Sequence, residues 1–428
     1  MNAKNTDKNA ILADEFDEKL EPKFEKKESK FSQNLKNKFS KNEGKFSEFS
    51  ESKNGVKSYI YPFINRFLHA FLIISFALAY ALADAQQGFY LHAVFGTLFF
   101  AAALARVLWG FVGTRFSRFA DFEFRGLFGY FRTFFRPQTP YTAHNPASSY
   151  AIVAMLFLGL LLGLSGLLLW GTSEQKGVFG GLYFAYNEFY FSLHEIAANA
   201  LLAVVCLHIC GALLDKFYHK FQSLNAIISG FKRTLKDESV RLNAAQKALC
   251  AFFVLGLGLL YFYLANPQNA LLNARQSPKF TTQTEPYALY KKECGSCHIA
   301  YAPYLLPKKA WANLMDGLEN HFGDDASLEE TDFEGIASFL NAHSSEAYES
   351  FFKANLADEN ESEIAISKYK FYEKAHETLP QGLFKAPNIK SKANCNACHE
   401  DGEQGFFGKS GIKFDEIKKA KSDLSGDN

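Results

Sequence analysis

A chain of 428 residues that is 48% hydrophobic and 16% aromatic is too apolar for a disordered protein and has room for two or three domains. Its formal charge of +1 hides an asymmetry: residues 1–57 hold 13 Lys against 11 acids, residues 58–265 hold 15 basic against 9 acidic side chains, and residues 266–428 hold 18 against 25. The acidic last segment carries no basic stripe with interleaved aromatics, which argues against nucleic acid as a partner.

Residues 1–57 lack apolar runs and repeat a Lys-Phe pair at Lys23-Phe24, Lys30-Phe31, Lys38-Phe39 and Lys45-Phe46. That spacing puts the Phe on one helical stripe suited to an anionic membrane surface. Composition favours the plainer reading, a solvated disordered tail, and no role is assigned to it. A polar stretch this long ahead of the first apolar run does not fit a cleavable signal peptide, so the first run is expected to serve as an uncleaved anchor.

Five apolar segments follow, near 67–86, 89–112, 150–170, 189–214 and 248–265, each about the ~20 residues that cross a bilayer core. The connections at 113–147 and 215–247 carry 5 Arg and 7 Lys/Arg, whereas those near 84–90 and 172–188 carry none and one, Lys176. Positive loops stay inside. The amino terminus is therefore expected in the cytoplasm and, after five spans, the carboxyl-terminal domain in the periplasm, in a multi-pass protein of a bacterial inner membrane.

Four histidines, His69, His92, His194 and His208, lie inside these spans, where an imidazole is costly and normally has a partner. His194 and His208 are 14 residues apart on the fourth span, which returns the side chain to within about 40° and separates the two by about 21 Å along the axis. One helix face thus offers two ligands at opposite depths. His69 opens the outward-running first span and His92 the inward-running second, so depth pairs His92 with His194 and His69 with His208. Two bis-histidine b haems in a four-helix bundle satisfy all four side chains. Satisfied core histidines are the alternative, and matched depths weigh against it. Gly96, four residues after His92, and Gly159, Gly163 and Gly166 in the third span suit a flat macrocycle, although close helix packing uses the same residues. Arg106, Arg115 and Arg118 suit haem propionates or simple anchoring. Cys206, Cys210 and Cys250 are read as small apolar residues.

This stretch resembles the hydrogenase-type transmembrane cytochrome b family over about 60–215. The resemblance rests on Arg66-Phe67-Leu68-His69, on Leu91-His92 with Gly96, on Arg106-Val107-Leu108-Trp109-Gly110-Phe111-Val112-Gly113, and on the His194/His208 pair. It implies that all four histidines are axial iron ligands. Phe71 stands where the family often has a Trp beside the first histidine, which bears on packing more than on ligation.

A linker, 266–284, leads to a mainly helical domain, 285–428, with helices expected around Ala310–Asn320 and Thr331–Ala342. It holds two CxxCH motifs, Cys294-Gly295-Ser296-Cys297-His298 and Cys395-Asn396-Ala397-Cys398-His399. CxxCH attaches c-type haem through two thioethers, and the adjoining histidine takes the iron. Sixth ligands are scarce. Of 3 Met only Met315 lies in this domain, and its helical spacing with Trp311 and Leu318 marks it as core. The histidines left are His321, His343 and His376, so at least one of the two c haems is bis-histidine. The segment from Glu293 through Pro307 to Trp311 and His321-Phe322-Gly323, with His376-Glu377, Lys390–Cys395 and Glu403-Gln404-Gly405-Phe406, looks like the periplasmic dihaem cytochrome c family over about 285–412. That resemblance implies His321 as distal ligand to the first c haem and His376 to the second. His343 falls outside the matching patterns and is expected at the surface or a helix end.

The expected architecture is all-α: a cytoplasmic tail (1–57), a membrane di-haem bundle (58–220), a cytoplasmic loop with a fifth span (221–265), the linker, and the dihaem domain. The expected function is electron transfer between the quinone pool and a soluble periplasmic acceptor or donor through two b and two c haems. Two alternatives stand beside it. One is a subunit passing electrons from a periplasmic dehydrogenase or hydrogenase to quinone; the other is a reductase or peroxidase acting at an open c haem.

Overall fold

The computed structural model describes residues 55–83, 85, 88–132, 144–182, 187–219, 222–234, 236–275, 279–282 and 284–426. The expectations for the Lys-Phe tail therefore lie outside the described residues, apart from its last three positions. In chain order the principal elements are β1 (Val56–Tyr59), α1 (Phe63–Ala81), α2 (Phe89–Val112), α3 (Pro146–Glu174), α4 (Asn187–Phe217), α5 (Ser223–Ser229), β2 (Phe231–Thr234), α6 (Ala244–Ala265), α7 (Thr284–Cys294), α8 (Lys308–Asp316), α9 (Glu330–His343), α10 (Lys370–His376) and α11 (Phe414–Gly426), with shorter helices at Leu127–Arg132, Ala270–Asn273 and Glu349–Asn355. Short 3₁₀ turns link many of the later helices. The helical expectation holds apart from the two short strands, and α1, α2, α3, α4 and α6 are long and apolar enough to cross a membrane. Their outer faces are greasy: Phe157 is 66% exposed, Leu207 71% and Phe262 72%. So much bare apolar surface is at home only in lipid.

The chain packs as two units. The first gathers residues 1–66, 110–152 and 206–243. Here β1 and β2 pair antiparallel, Val56 opposite Thr234 and Tyr59 opposite Phe231. Two four-residue strands so far apart in sequence leave no alternation long enough to read. Gly230 makes the pairing possible. It ends α5 at φ +88, and its carbonyl accepts from the amides of Ile60 and Tyr61 at 2.9 and 3.1 Å; an L side chain is strained at that φ. Asn145 caps α3 through the Ser148 amide at 2.7 Å, with Pro146 in the first turn. Arg118 and Asp121 pair at 2.8 Å, and Arg115 approaches Glu238 at 3.9 Å.

The second unit comprises 67–109, 153–205 and 244–428. Its membrane part packs Phe99, Leu162, Ala197 and Leu201 together, and Val94, Leu98 and Trp170 against Leu264 and Leu272. α3 runs beyond the predicted span to Glu174, and α1 stops at Ala81. The stretch expected as a plain linker is tied down. Leu272, in the one-turn helix Ala270–Asn273, is fully buried, and its carbonyl accepts from Trp170 Nε1 at 2.8 Å. Tyr90 Oη donates to the Leu264 carbonyl at 2.7 Å and accepts from Asn269 and Asn273. The C-terminal domain is built on one aromatic-rich core, including Tyr290, Tyr304, Trp311, Met315, Ile336 and Phe339, and a smaller one around Leu383, Phe384, Ile389 and Ala420. Met315 is thus core, as its spacing predicts.

Candidate haem sites

His92 lies in the first turn of α2 and His194 in the second turn of α4. Their ring centroids are 6.0 Å apart at 79°. His92 Nδ1 pairs with the Ala79 carbonyl at 2.8 Å. His194 Nδ1 pairs with the Leu162 carbonyl at 3.1 Å and the Ser165 hydroxyl at 3.2 Å. Gly166 is what lets His194 in: a Cβ there would sit 2.8 Å from Cε1 and 3.2 Å from Nδ1. At Gly96, by contrast, a Cβ would meet nothing within 4 Å among the described residues. One glycine admits the His194 ring, and the other leaves open space four residues after His92. His69 lies near the start of α1 and His208 nine residues before the end of α4; both are half-buried within their own units.

The first CxxCH begins where α7 ends. Gly295 donates to the Lys291 carbonyl, and a Cβ at this position would run into that same oxygen, so only glycine turns the chain here. His298 Nδ1 faces the Ile299 carbonyl at 2.7 Å. His321 arrives on a tight turn in which it exchanges backbone hydrogen bonds with Asp324, at 2.7 and 3.2 Å, while Phe322 and Gly323 take φ of +54 and +105. A Phe in the left-handed region is uncommon. This turn brings the His321 ring to 6.2 Å from that of His298.

The second CxxCH forms a 3₁₀ turn, with the His399 amide on the Cys395 carbonyl at 2.8 Å. His376 ends α10, its Nδ1 on the Tyr372 carbonyl at 2.8 Å and its ring stacked on Tyr372 at 4.2 Å. The His376 and His399 rings are 6.2 Å apart at 81°. Burial, with His376 close by, pushes the His399 imidazole down to about 4, and burial pushes the Cys294 and Cys395 thiols up to about 11. The imidazole is therefore neutral near pH 7, the form that ligates a metal.

Three histidine pairs thus share one spacing. An iron held between two imidazole nitrogens, about 2.0–2.1 Å from each, places the ring centroids roughly 6.2–6.4 Å apart. In four of these six side chains Nδ1 is occupied by a backbone carbonyl, which orients the ring and leaves Nε2 as the nitrogen to meet a metal. His399 Nδ1 is buried without a hydrogen-bond partner among the described residues. The donor chemistry fits bis-imidazole haem at each pair. His343 ends α9 as expected but is not on the surface: it is 9% exposed, and its Nε2 is buried without a partner among the described residues. Its ring packs on Phe339 of the same helix. The carbonyl partners of the ligands, Tyr301 and Tyr372 could not be found from sequence, since a backbone oxygen or an aromatic becomes part of a site only by tertiary placement.

A membrane bundle and a C-terminal domain that both present paired imidazoles define a membrane-bound haem electron-transfer protein. Two family models match: residues 60–230 fit prokaryotic cytochrome b561, and residues 290–407 fit dihaem cytochrome c. The chain belongs to both families, as a fusion of a cytochrome b561 module with a dihaem cytochrome c module. Three solved structures are similar to the second module. Two are diheme cytochromes c from Rhodobacter sphaeroides, at 33% and 32% identity, each matched over 28% of this chain and over 96% and 95% of their own, with TM-scores of 0.23 and 0.26. The third is the diheme cytochrome type c of Shewanella baltica OS155, at 30% identity over 30% of this chain and 91% of its own, TM-score 0.25. None of the curated proteins is significantly similar to the chain.

Proposed function

We propose that the protein takes electrons from quinol in a bacterial inner membrane and passes them to a soluble periplasmic acceptor. In this reading His92 with His194, and His69 with His208, each hold a b haem. Cys294 and Cys297 bind one c haem between His298 and His321, and Cys395 and Cys398 bind the other between His399 and His376. When bound, haem supplies reversible one-electron chemistry. The chain's residues do the rest: imidazoles fix the iron, backbone carbonyls fix four of the imidazoles, and the aromatic core excludes water. The observation that carries the reading is the repeated ring spacing of 6.0 to 6.2 Å at three separate pairs.

Two further features support the details. Loop charges favour a cytoplasmic amino terminus and a periplasmic C-terminal domain. Between Ala310 and Phe352 the chain holds ten acids and no Lys or Arg, and within that stretch Phe322 is 66% exposed beside His321 at 4.9 Å. An acidic stretch carrying an exposed aromatic suits a basic redox partner. The test is anaerobic mixing of the purified, fully loaded protein with a reduced menaquinone or ubiquinone analogue. Reduction of b-type and then c-type bands is expected. Quinol that leaves the c-type bands oxidised, while dithionite reduces them, would refute the assignment.

A further inference from the structure

We propose that the second c-type site, Cys395/Cys398/His399 with His376, is the one seated against the His92/His194 site, and that Glu174 and Asp401 are the positioning residues that seat it. This rests on the haem assignments above. The first c-type site then stands at the outer end of the series, nearest the partner.

Glu174 is where α3 finally stops, well past its apolar stretch, and it is 2% exposed. A carboxylate so deeply buried needs hydrogen bonds. Its two oxygens accept from the consecutive amides of Lys409 and Ser410, at 3.0 and 2.8 Å. A Cβ at Gly408 would collide with that carboxylate, so the loop can approach only because this residue is glycine. Two residues on, Lys176 Nζ donates to Ser410 Oγ at 3.1 Å and lies 3.5 Å from Asp401 Oδ2. Arg275 reaches the same oxygen at 2.7 Å, and the backbones of Lys176 and Arg275 form a bridge. A buried carboxylate shared by two cations and a carboxylate shared by two amides make a specific contact, because removing either partner leaves a buried charge unpaired.

This contact belongs to the loop that carries His399. Asp401 lies two residues after it, His399 bridges to Ile412, and the Glu400 amide donates to the Gly411 carbonyl at 2.9 Å. At the loop's far side Lys409 Nζ stands 5.8 Å above the Phe89 ring, and Phe89 is stacked on His92, centroids 6.2 Å apart and 6° from parallel. The loop holding one c-type ligand therefore touches the aromatic that covers a membrane ligand. No hydrogen bond, ion pair or ring contact joins Cys294–His298 or His321 to the membrane helices among the described residues. The first site is tied to the second instead. Tyr301 stacks on His298 at 4.9 Å, and its hydroxyl donates to the Ala393 carbonyl at 2.8 Å, two residues before Cys395. One electron moves at a time along this order. With haem held at each pair, an electron leaving the His92/His194 pair would be gained at the His376/His399 pair, and one leaving there would be gained at the His298/His321 pair. Quinol supplies the electrons and releases its own protons.

Two variants of the full-length protein in detergent test the order. In Cys395→Ser/Cys398→Ser the remaining c haem should be reduced by quinol at least 100-fold more slowly than in the wild type, while dithionite still reduces it. In Cys294→Ser/Cys297→Ser the remaining c haem should keep the wild-type rate. The reverse pattern overturns the order. If these variants do not fold, His321→Met and His376→Met label each c site by a raised potential, and the His376 site must then be reduced first in a single turnover. Glu174→Gln tests the seating without haem as the readout. The Lys409 and Ser410 amides should exchange hydrogen at least 10-fold faster, and electron transfer from b to c should slow at least 10-fold with all midpoint potentials unchanged. Unchanged exchange and rate overturn the role of Glu174. A wild-type protein in which quinol reduces no haem would defeat the functional reading, and the exchange measurement would still decide the seating.

Discussion

Replacing Gly166 by Ala adds one methyl group against a candidate iron ligand, and the size of the effect follows from the packing. The new Cβ would lie 2.8 Å from His194 Cε1 and 3.2 Å from Nδ1. Carbon atoms rest at about 3.5–4.0 Å, so the ring must retreat by about 0.7 Å. Ligand distances in metal sites hold to about 0.2 Å, and the Nδ1 bonds of 3.1 and 3.2 Å to Leu162 and Ser165 would be stretched as well. Overpacking of this kind costs ~1–3 kcal/mol, which at about 1.4 kcal/mol per decade lowers haem affinity about 5- to 150-fold. Pyridine haemochrome analysis of the purified protein should show the b-type content halved and the c-type content unchanged. A Gly166→Ala protein with its full b-type content and wild-type midpoint potentials would refute the ligand role of His194. Gly96→Ala is the converse. Protein atoms alone leave the methyl free space, so the helix should gain up to ~1 kcal/mol. If the macrocycle fills that space, the same b haem is lost from an otherwise well-folded protein.

His92→Ala and His194→Ala should remove one and the same b haem, and His69→Ala and His208→Ala the other; spectra showing different haems lost within a pair would break the pairing by depth. If the proposed imidazole pairs close both c sites, the reduced protein should show no carbon monoxide shift in its c-type bands, and strong binding at one of them would favour a catalytic haem. Lys232 offers a pH test. It is 6% exposed, and burial pushes its ammonium down to about 8, with Asp215 opposing. The unfolded chain holds that proton up to about 10.5, so stability should rise as pH climbs from about 8 towards 10.5 and lie on its lower plateau below 8. Thermal unfolding in detergent should show this rise in the wild type and lose it in Lys232→Met.

Much of the site was legible because its signals are local or periodic. CxxCH needs only five adjacent residues, a span needs only hydropathy, and the 14-residue separation of His194 and His208 needs only the pitch of a helix. Scarcity of methionine pointed to imidazole as the sixth ligand, and family resemblance chose His321 and His376. The structure brings the His321 ring to 6.2 Å from that of His298 and the His376 ring to 6.2 Å from that of His399. His343 shows the limit: the same residue type in the same acidic segment is buried on Phe339, away from the matching patterns.

The sequence by itself determined which residues are candidates to hold haem and where apolar helices run, since both follow from chemistry along the chain. Only the tertiary structure decided how those residues are held. The carbonyls of Ala79, Leu162 and Tyr372 orient imidazoles from one turn to over 30 residues away, and β1 finds β2 across more than 170 residues. Glu174 grips the loop of His399 from more than 230 residues upstream. No pattern in the chain marks that glutamate, because its neighbours are backbone amides, and every residue has one of those.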